Sequence, residues 1–304
     1  MNNKGVPTRI CADHFFTIGS VHQYQGSPCQ DYATSGKIGN VHYAIVADGC
    51  STSRDTDIGC RMLTLIFKAF LGELFEQAVT PVLTQDLLQQ FPRFFSQPLS
   101  EFCASSPFLP EEAFNSTLVV ALYQEGAENV YFSIFGDGCV VLQKKKHSDQ
   151  TASEPLPTVR FSLDWNLNAP PYLAYLSRKE KTREYNDMVS SDPYGKLRIG
   201  DSSLAKEEPT EIEVEVLVSD GFEGFHRHVP VANLESISVF SDGVFSFSNS
   251  VAEDYIVERF TSIKLPTGQF LKRTCCSRLR ELKNHHQSVN QDDFSMATLI
   301  FGRS

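Results

Sequence analysis

Four aspartates in four separated pieces of the chain constrain its fold more than any other feature. Asp31 sits in GSPCQDYA, Asp48 in VHYAIVADGC, Asp242 in SISVFSDGVF and Asp292 in NQDDFSMATLIF. In three of these an apolar, β-type run leads into or out of the acid, so the carboxylates belong at strand ends. A fold that gathers those ends pools negative charge in one pocket, which is costly unless cations neutralise it. Hard oxygen ligands favour Mg²⁺ or Mn²⁺ over zinc.

The order of elements narrows the architecture. Residues 9–21 and 40–47 read as strands, separated by a turn-rich stretch at Gly26, Ser27 and Pro28 and by the Asp31 segment. The polar loop GCSTSRDTDIG precedes a helix over about 57–77. Its Met62, Leu65, Ile66, Ala69 and Phe70 recur at helical spacing, and Leu63, Phe67, Leu71 and Leu74 widen the buried face. A second helical segment starts near Thr84 and is expected to bend or stop at Pro92. STLVVALY, NVYFSIFG and CVVLQKKK read as a three-stranded antiparallel meander. Residues 144–210 are polar and read as a loop-rich excursion, with Lys144–Lys146 a solvated strand end. A strand with one wet face (EIEVEVLVSDG), a second (SISVFSDG), helices near 250–263 and 269–285 and a last strand (SMATLIFG) complete the chain. This order predicts an α+β fold in one domain over 1–304, with two packed sheets and helices outside, and argues against a doubly wound parallel sheet.

Bulk properties exclude several classes. A net charge of −10 argues against general binding to nucleic acid or to acidic membranes, which require a basic surface. No stretch reaches the roughly 18 apolar residues of a membrane span, and the first residues lack the layout of a secretory signal. None of the eight cysteines forms a CxxC pair, which leaves no zinc-ribbon spacing and reads as buried, reduced thiols. These features predict a soluble, cytoplasmic protein. His14, His22 and His42 read as packed or surface residues, His285 and His286 as helix-end residues, and His226 and His228 as flanking Arg227 in a loop.

Each acidic motif alone reads as a turn, because Asp-Gly suits turn geometry. As an ordered set, VADG, GDG, FSDG and DDFS resemble the metal-dependent serine/threonine protein phosphatases of type 2C. The likeness is to their bacterial branch, where an opening such as GSPCQD stands in place of an acidic pair. The resemblance runs from about residue 14 to 302 and is weak at 144–210. It implies a four-layer α-β-β-α sandwich with two central, mainly antiparallel sheets and two Mn²⁺ or Mg²⁺ ions at one end. Asp48 would bridge both ions, the Gly49 carbonyl would bind one, Asp242 and Asp292 would complete the other, and Asp31 would act through metal-bound water. In the family's final motif the first acid is the ligand, which selects Asp292 over Asp293.

The implied activity is hydrolysis of phosphoserine or phosphothreonine on proteins by a metal-bound water, with no protein nucleophile. Phosphoproteins, and with them a cognate serine/threonine kinase, are the implied partners. The chain also departs from the family pattern. Gly26 stands where many members carry a phosphate-gripping Arg. Cys50 stands where many have His after the bridging acid, so a metal-bound water or the thiol would protonate the leaving group. Asp137, in GDG, would hold a third ion with an acid at 246, but Ser246 is there, and two ions are expected. Asp220 ends a competing VSDG and reads as a hairpin turn. Two other readings remain open at this level. One is a phosphatase-like regulatory or binding module with weak turnover. The other is a haloacid-dehalogenase-type phosphatase, disfavoured because Val46 precedes Asp48 where that chemistry needs a second acid.

Overall fold

The computed structural model describes residues 9–106, 108–145, 156–177, 179–202, 209–215, 224–249, 251–263 and 266–302. The elements in chain order are β1 (Arg9–Thr17), α1 (Ser20–Gln25), β2 (Asp31–Ile38), β3 (Val41–Gly49), α2 (Thr56–Phe75), α3 (Gln85–Leu88), α4 (Phe91–Ser105), β4 (Ser116–Gln124), β5 (Asn129–Phe135) and β6 (Gly138–Lys144). There follow β7 (Thr158–Trp165), α5 (Lys179–Val189), β8 (Tyr194–Asp201), β9 (Thr210–Glu215), β10 (Phe225–Pro230), β11 (Leu234–Phe240), α6 (Glu253–Thr261), α7 (Phe270–His286) and β12 (Phe294–Gly302). Two sheets form, in the orders β1-β12-β11-β6-β7-β8-β9 and β10-β5-β4-β3-β2, and every strand pair is antiparallel.

Strand periodicity explains the layering. Along β3, Ala44 and Val46 join the core between the sheets, while Val41, Tyr43, Ile45 and Ala47 face outward against helices. β4 repeats the pattern, with Val119, Ala121 and Tyr123 inside and Leu118, Val120 and Leu122 outside. Because both faces are buried, these strands read as unbroken apolar runs. α2 covers the outer face with Cys60, Leu63, Phe67, Phe70, Leu71 and Phe75, joined by Phe91 and Phe95 of α4. On the other outer side, Ile256, Val257 and Phe260 of α6 and Phe270, Leu271 and Cys275 of α7 pack against Val141, Phe240 and Met296. The result is the α-β-β-α sandwich that the resemblance implied.

Several local expectations need correction. The first strand stops at Thr17, and residues 20–25 coil into α1, which ends at Gly26 with φ 73°. The Asp31 segment is itself a strand. Pro92 opens α4 instead of closing a helix, since a first-turn N–H has no intrahelical partner to lose. The expected meander is split: β4 and β5 share one sheet, but β6 crosses to the other. The crossing uses Gly136 (φ 89°) and Gly138 (φ 133°), backbone states that a side chain disfavours.

The described part of 144–210 is not an excursion from the core. It carries β7, α5 and β8, and Val159, Phe161, Leu163 and Trp165 of β7 enter the inter-sheet core at period two. Lys144 pairs with Asp201 at 2.7 Å and Lys145 donates to the Ala232 carbonyl, so neither is merely solvated; Lys146 lies outside the described residues. His226, Arg227 and His228 lie in β10, not in a loop. Asp220 lies outside the described residues.

Candidate active site

The sheet register delivers the acids to one end of the sandwich. Asp31 of β2 sits directly across from Asp48 of β3, and Asp48 in turn faces Thr117 of β4. Asp137 lies in the sheet-crossing link between β5 and β6. Asp242 follows β11 in a short 3₁₀ turn, Asp242–Phe245, and Asp292 precedes β12. Gly243 brings these two ends together: a Cβ there would fall 1.7 Å from the Asp293 carbonyl oxygen. Asp48, Gly49, Cys50, Asp137, Asp242 and Asp292 line one cavity of about 160 Å³. Asp31 does not line it. The Asp31 carboxylate is 1% exposed and lies behind Asp48, where Ser241 Oγ donates to Oδ2 at 2.6 Å.

These carboxyls are short of donors. Asp31 Oδ1 and Asp242 Oδ1 are buried with no donor, and Asp48 lies among the carboxyls of Asp31 and Asp242. Burial, foremost, pushes Asp31 up to about 7, with the Asp293 and Asp242 charges adding to it and hydrogen bonds from Asp48 and Ser241 opposing. Burial and then the Asp31 and Asp242 charges hold Asp48 well above the usual carboxylate range. Asp137 is raised by burial and by Asp242, and Asp242 by burial and by Asp292. A pool of hard oxygen atoms that cannot all ionise together, with lone pairs unclaimed, fits divalent Mn²⁺ or Mg²⁺.

Adjacent residues Asp292 and Asp293 have separate environments. Asp293 is 3% exposed; its Oδ1 accepts from Gly19 N at 2.7 Å and its Oδ2 from Gln30 N at 2.5 Å, with His22 Nδ1 3.0 Å away. It fastens α1 and the start of β2 to the start of β12. Asp292 instead turns to the cavity. His22, Asp292 and Asp293 lie close enough to share an ion, but both Asp293 oxygens already accept backbone hydrogen bonds. The larger unclaimed set is on the Asp48 side.

Other walls of the cavity come from residues that motif reading does not reach. Thr117 arrives by register opposite Asp48. Asn168, Pro170 and Tyr172 come from the segment that follows β7, and only its proximity to β6 in the folded sheet brings it there. Cys50 Sγ lies 3.1 Å from Thr52 Oγ1. Burial raises the Cys50 thiol, but hydrogen bonds from Thr52, Tyr172 and Ser53 outweigh it and hold the thiol below its ordinary value. Burial, and next the Cys50 charge, push the Tyr172 phenol far upward, so it remains a donor at neutral pH. Among the described residues, no lysine or arginine lines the cavity. Ser246 lies in an adjoining cavity with His22 and Gln25, and supplies a hydroxyl where a third-ion site would need a carboxylate.

A two-sheet sandwich with acids pooled at one end is an arrangement that could hold divalent cations. The protein phosphatase 2C family model matches residues 18–274, most of the chain, and the chain belongs to that family of protein serine/threonine phosphatases. No curated protein sequence matches it. Among solved structures, the phosphatase domain of SpoIIE from Bacillus subtilis, with a fragment of its regulatory domain, aligns at TM-score 0.54 and 9% identity, covering 98% of this chain and 65% of that one. Stp1 from Staphylococcus aureus aligns at 0.54 and 11% identity over 99% of each chain. A serine/threonine phosphatase of S. agalactiae aligns at 0.51 and 15% identity, over 97% of this chain and all of that one. At these identities the likeness establishes the shared fold.

Proposed function

We propose that this chain hydrolyses phosphoserine or phosphothreonine on proteins with the help of two Mn²⁺ or Mg²⁺ ions at the acid cavity. One observation carries the reading: carboxyls from both sheets meet in a single cavity, and Asp242 Oδ1 on its wall is buried with no protein donor. Asp48, the Gly49 carbonyl, Asp242 and Asp292 would hold the ions. When bound, such ions offset phosphoryl charge and activate water toward phosphorus.

The chain's own residues do the rest. Asp31 stands behind Asp48 and, through Ser241, ties the end of β2 to the end of β11. Asp293 holds the turn that presents Asp292. Asp137 adds a further carboxyl beside Asp242. The neutral donors on the walls, Thr52, Thr117 and Asn168, would meet phosphoryl oxygens. No lining side chain needs to act as a nucleophile. The substrate class is a phosphoprotein, the product of a serine/threonine kinase, and the proposal includes a cytoplasmic site of action. No described helix is long and apolar enough to cross a membrane.

A phosphatase-like module with weak turnover is the competing reading, and the lack of a lysine or arginine on the described cavity wall favours it. One assay separates the two. The metal-stripped protein is given 4-nitrophenyl phosphate and a phosphoserine peptide, with and without Mn²⁺. Turnover that appears with Mn²⁺ and disappears with a chelator is the expected result. Absence of turnover at any Mn²⁺ concentration would leave the binding module as the better description.

A further inference from the structure

The lining of the acid cavity sorts into two kinds of polar group. Carboxylates that hold cations are ionised and only accept hydrogen bonds, so Asp48, Asp242 and Asp292 could not stabilise the oxygen that leaves phosphorus. The donors are the hydroxyls of Ser51, Thr52, Thr117 and Tyr172, the amide of Asn168 and the thiol of Cys50. Ser51, Thr52 and Asn168 are exposed, so water competes for them. Thr117 is buried, but it faces Asp48 in register, so its side chain lies on the same face as that acid. Tyr172 is the buried hydroxyl that comes from neither sheet.

Its ring is also firmly held. Tyr172 is 9% exposed and packs with the core under the five-stranded sheet. Its ring lies 5.4 Å from that of Tyr175, which stacks on Tyr185 at 4.8 Å. Tyr185 Oη donates to the Ala169 carbonyl at 2.9 Å, and Trp165 Nε1 donates to the Gly136 carbonyl at 2.8 Å. The second bond ties the start of this segment to the link that carries Asp137. Tyr172 lines the same cavity as Cys50, the residue after the Asp48-Gly49 pair. A donor fixed before the reaction begins costs no reorganisation when charge develops.

We propose that Tyr172 is the hydrogen-bond donor to the leaving seryl or threonyl oxygen. The inference rests on the phosphatase reading of this cavity and names the residue that recognises the poor leaving group. As the bond from water oxygen to phosphorus forms, the phosphorus–oxygen bond to the side chain breaks. The attacking water gives up a proton and the departing oxygen gains one, so no other reactant is needed. The Tyr172 hydroxyl offsets the negative charge on that oxygen until it is protonated.

The test compares the wild-type chain with Tyr172→Phe, which keeps the ring and its packing, in Mn²⁺ on two kinds of substrate. On a phosphoserine peptide the variant is expected to lose kcat by on the order of 10²-fold, the scale for removing one fixed donor. On 4-nitrophenyl phosphate, whose leaving group carries its charge without help, kcat should stay near wild type. Across aryl phosphates of graded leaving-group acidity, the variant's rates should fall more steeply than those of the wild type. Equal losses on both substrates, or no loss on the peptide, would overturn the role of Tyr172 while leaving the phosphatase reading intact. A wild-type chain without turnover on either substrate would overturn both.

Discussion

Asp31 and Asp293 are equally hidden, at 1% and 3% exposure, and the chain connects them closely, because the Gln30 amide that precedes Asp31 donates to Asp293. Their surroundings nevertheless differ in kind. Asp293 accepts from Gly19 N and Gln30 N and lies 3.0 Å from His22 Nδ1. Asp13 is a parallel case, buried and accepting from Leu271 N at the start of α7 at 2.7 Å. Asp31 has one donor outside the acid cluster, Ser241, an oxygen with none, and the Asp48 carboxyl as its neighbour. A buried carboxylate surrounded by N–H groups holds a fold together. One surrounded by other carboxylates weakens the fold until something positive arrives. Proteins retain such arrangements where function requires them.

Substitutions on the two sides should therefore fail in opposite ways. Asp48→Asn is the largest expected effect: Mn²⁺-dependent turnover should drop by 10²- to 10³-fold or more, on the scale of losing a group that stabilises transition-state charge. The metal-free variant should melt no lower than the metal-free wild type, because a carboxyl whose ionisation burial and its acidic neighbours oppose is gone. A clear fall in its melting temperature would place Asp48 among the structural acids. Asp293→Ala should do the reverse, costing about 3 kcal/mol in urea unfolding as two backbone donors lose their partner. Its turnover should fall only as far as the Asp292 turn shifts.

Gly243→Ala probes the joint between the two sides. Its Cβ has no room against the Asp293 carbonyl, so overpacking of about 1–3 kcal/mol is expected, with weaker Mn²⁺ binding by calorimetry. Unchanged Mn²⁺ affinity would show that the Asp242 and Asp292 ends are not coupled there. The smallest effect is on pH dependence. Asp31 rises from 3.8 to about 7 on folding, so the folded state keeps a proton that the unfolded state releases. Its favourable contribution is complete below about 3.8 and is lost as pH rises through about 7. The metal-free protein should therefore melt progressively lower across that window, and Mn²⁺ should restore more at pH 7.5 than at pH 5. A flat profile without metal would remove the electrostatic cost assigned to the acid cluster.

How much of this was legible in the sequence depended on whether the signal was local. An apolar run closing on Asp-Gly marks a strand end, so Asp48 and Asp242 stand out without a structure. The two-sheet, four-layer architecture also followed from element order and family resemblance. Period-two burial in β6 does not say which sheet the strand joins, and Gly136 and Gly138 suit a hairpin turn as well as a crossing. β7 and β8 were hidden by the polar residues around and between them, although Val159, Phe161, Leu163 and Trp165 alternate cleanly. That misreading also concealed Tyr172, which no motif marks and which reaches the cavity only because β7 lies beside β6. Asp292 and Asp293 are indistinguishable by spacing. Only the resemblance chose between them, and their hydrogen-bond partners now give a separate physical reason.

Diffraction from crystals soaked in Mn²⁺, recorded at the manganese absorption edge, tests the acid cavity most directly. Anomalous peaks among Asp48, the Gly49 carbonyl, Asp242 and Asp292 are the predicted result, with Asp31 behind them and uncoordinated. An ion held instead by His22 and Asp293, or no peak at saturating Mn²⁺, would contradict it.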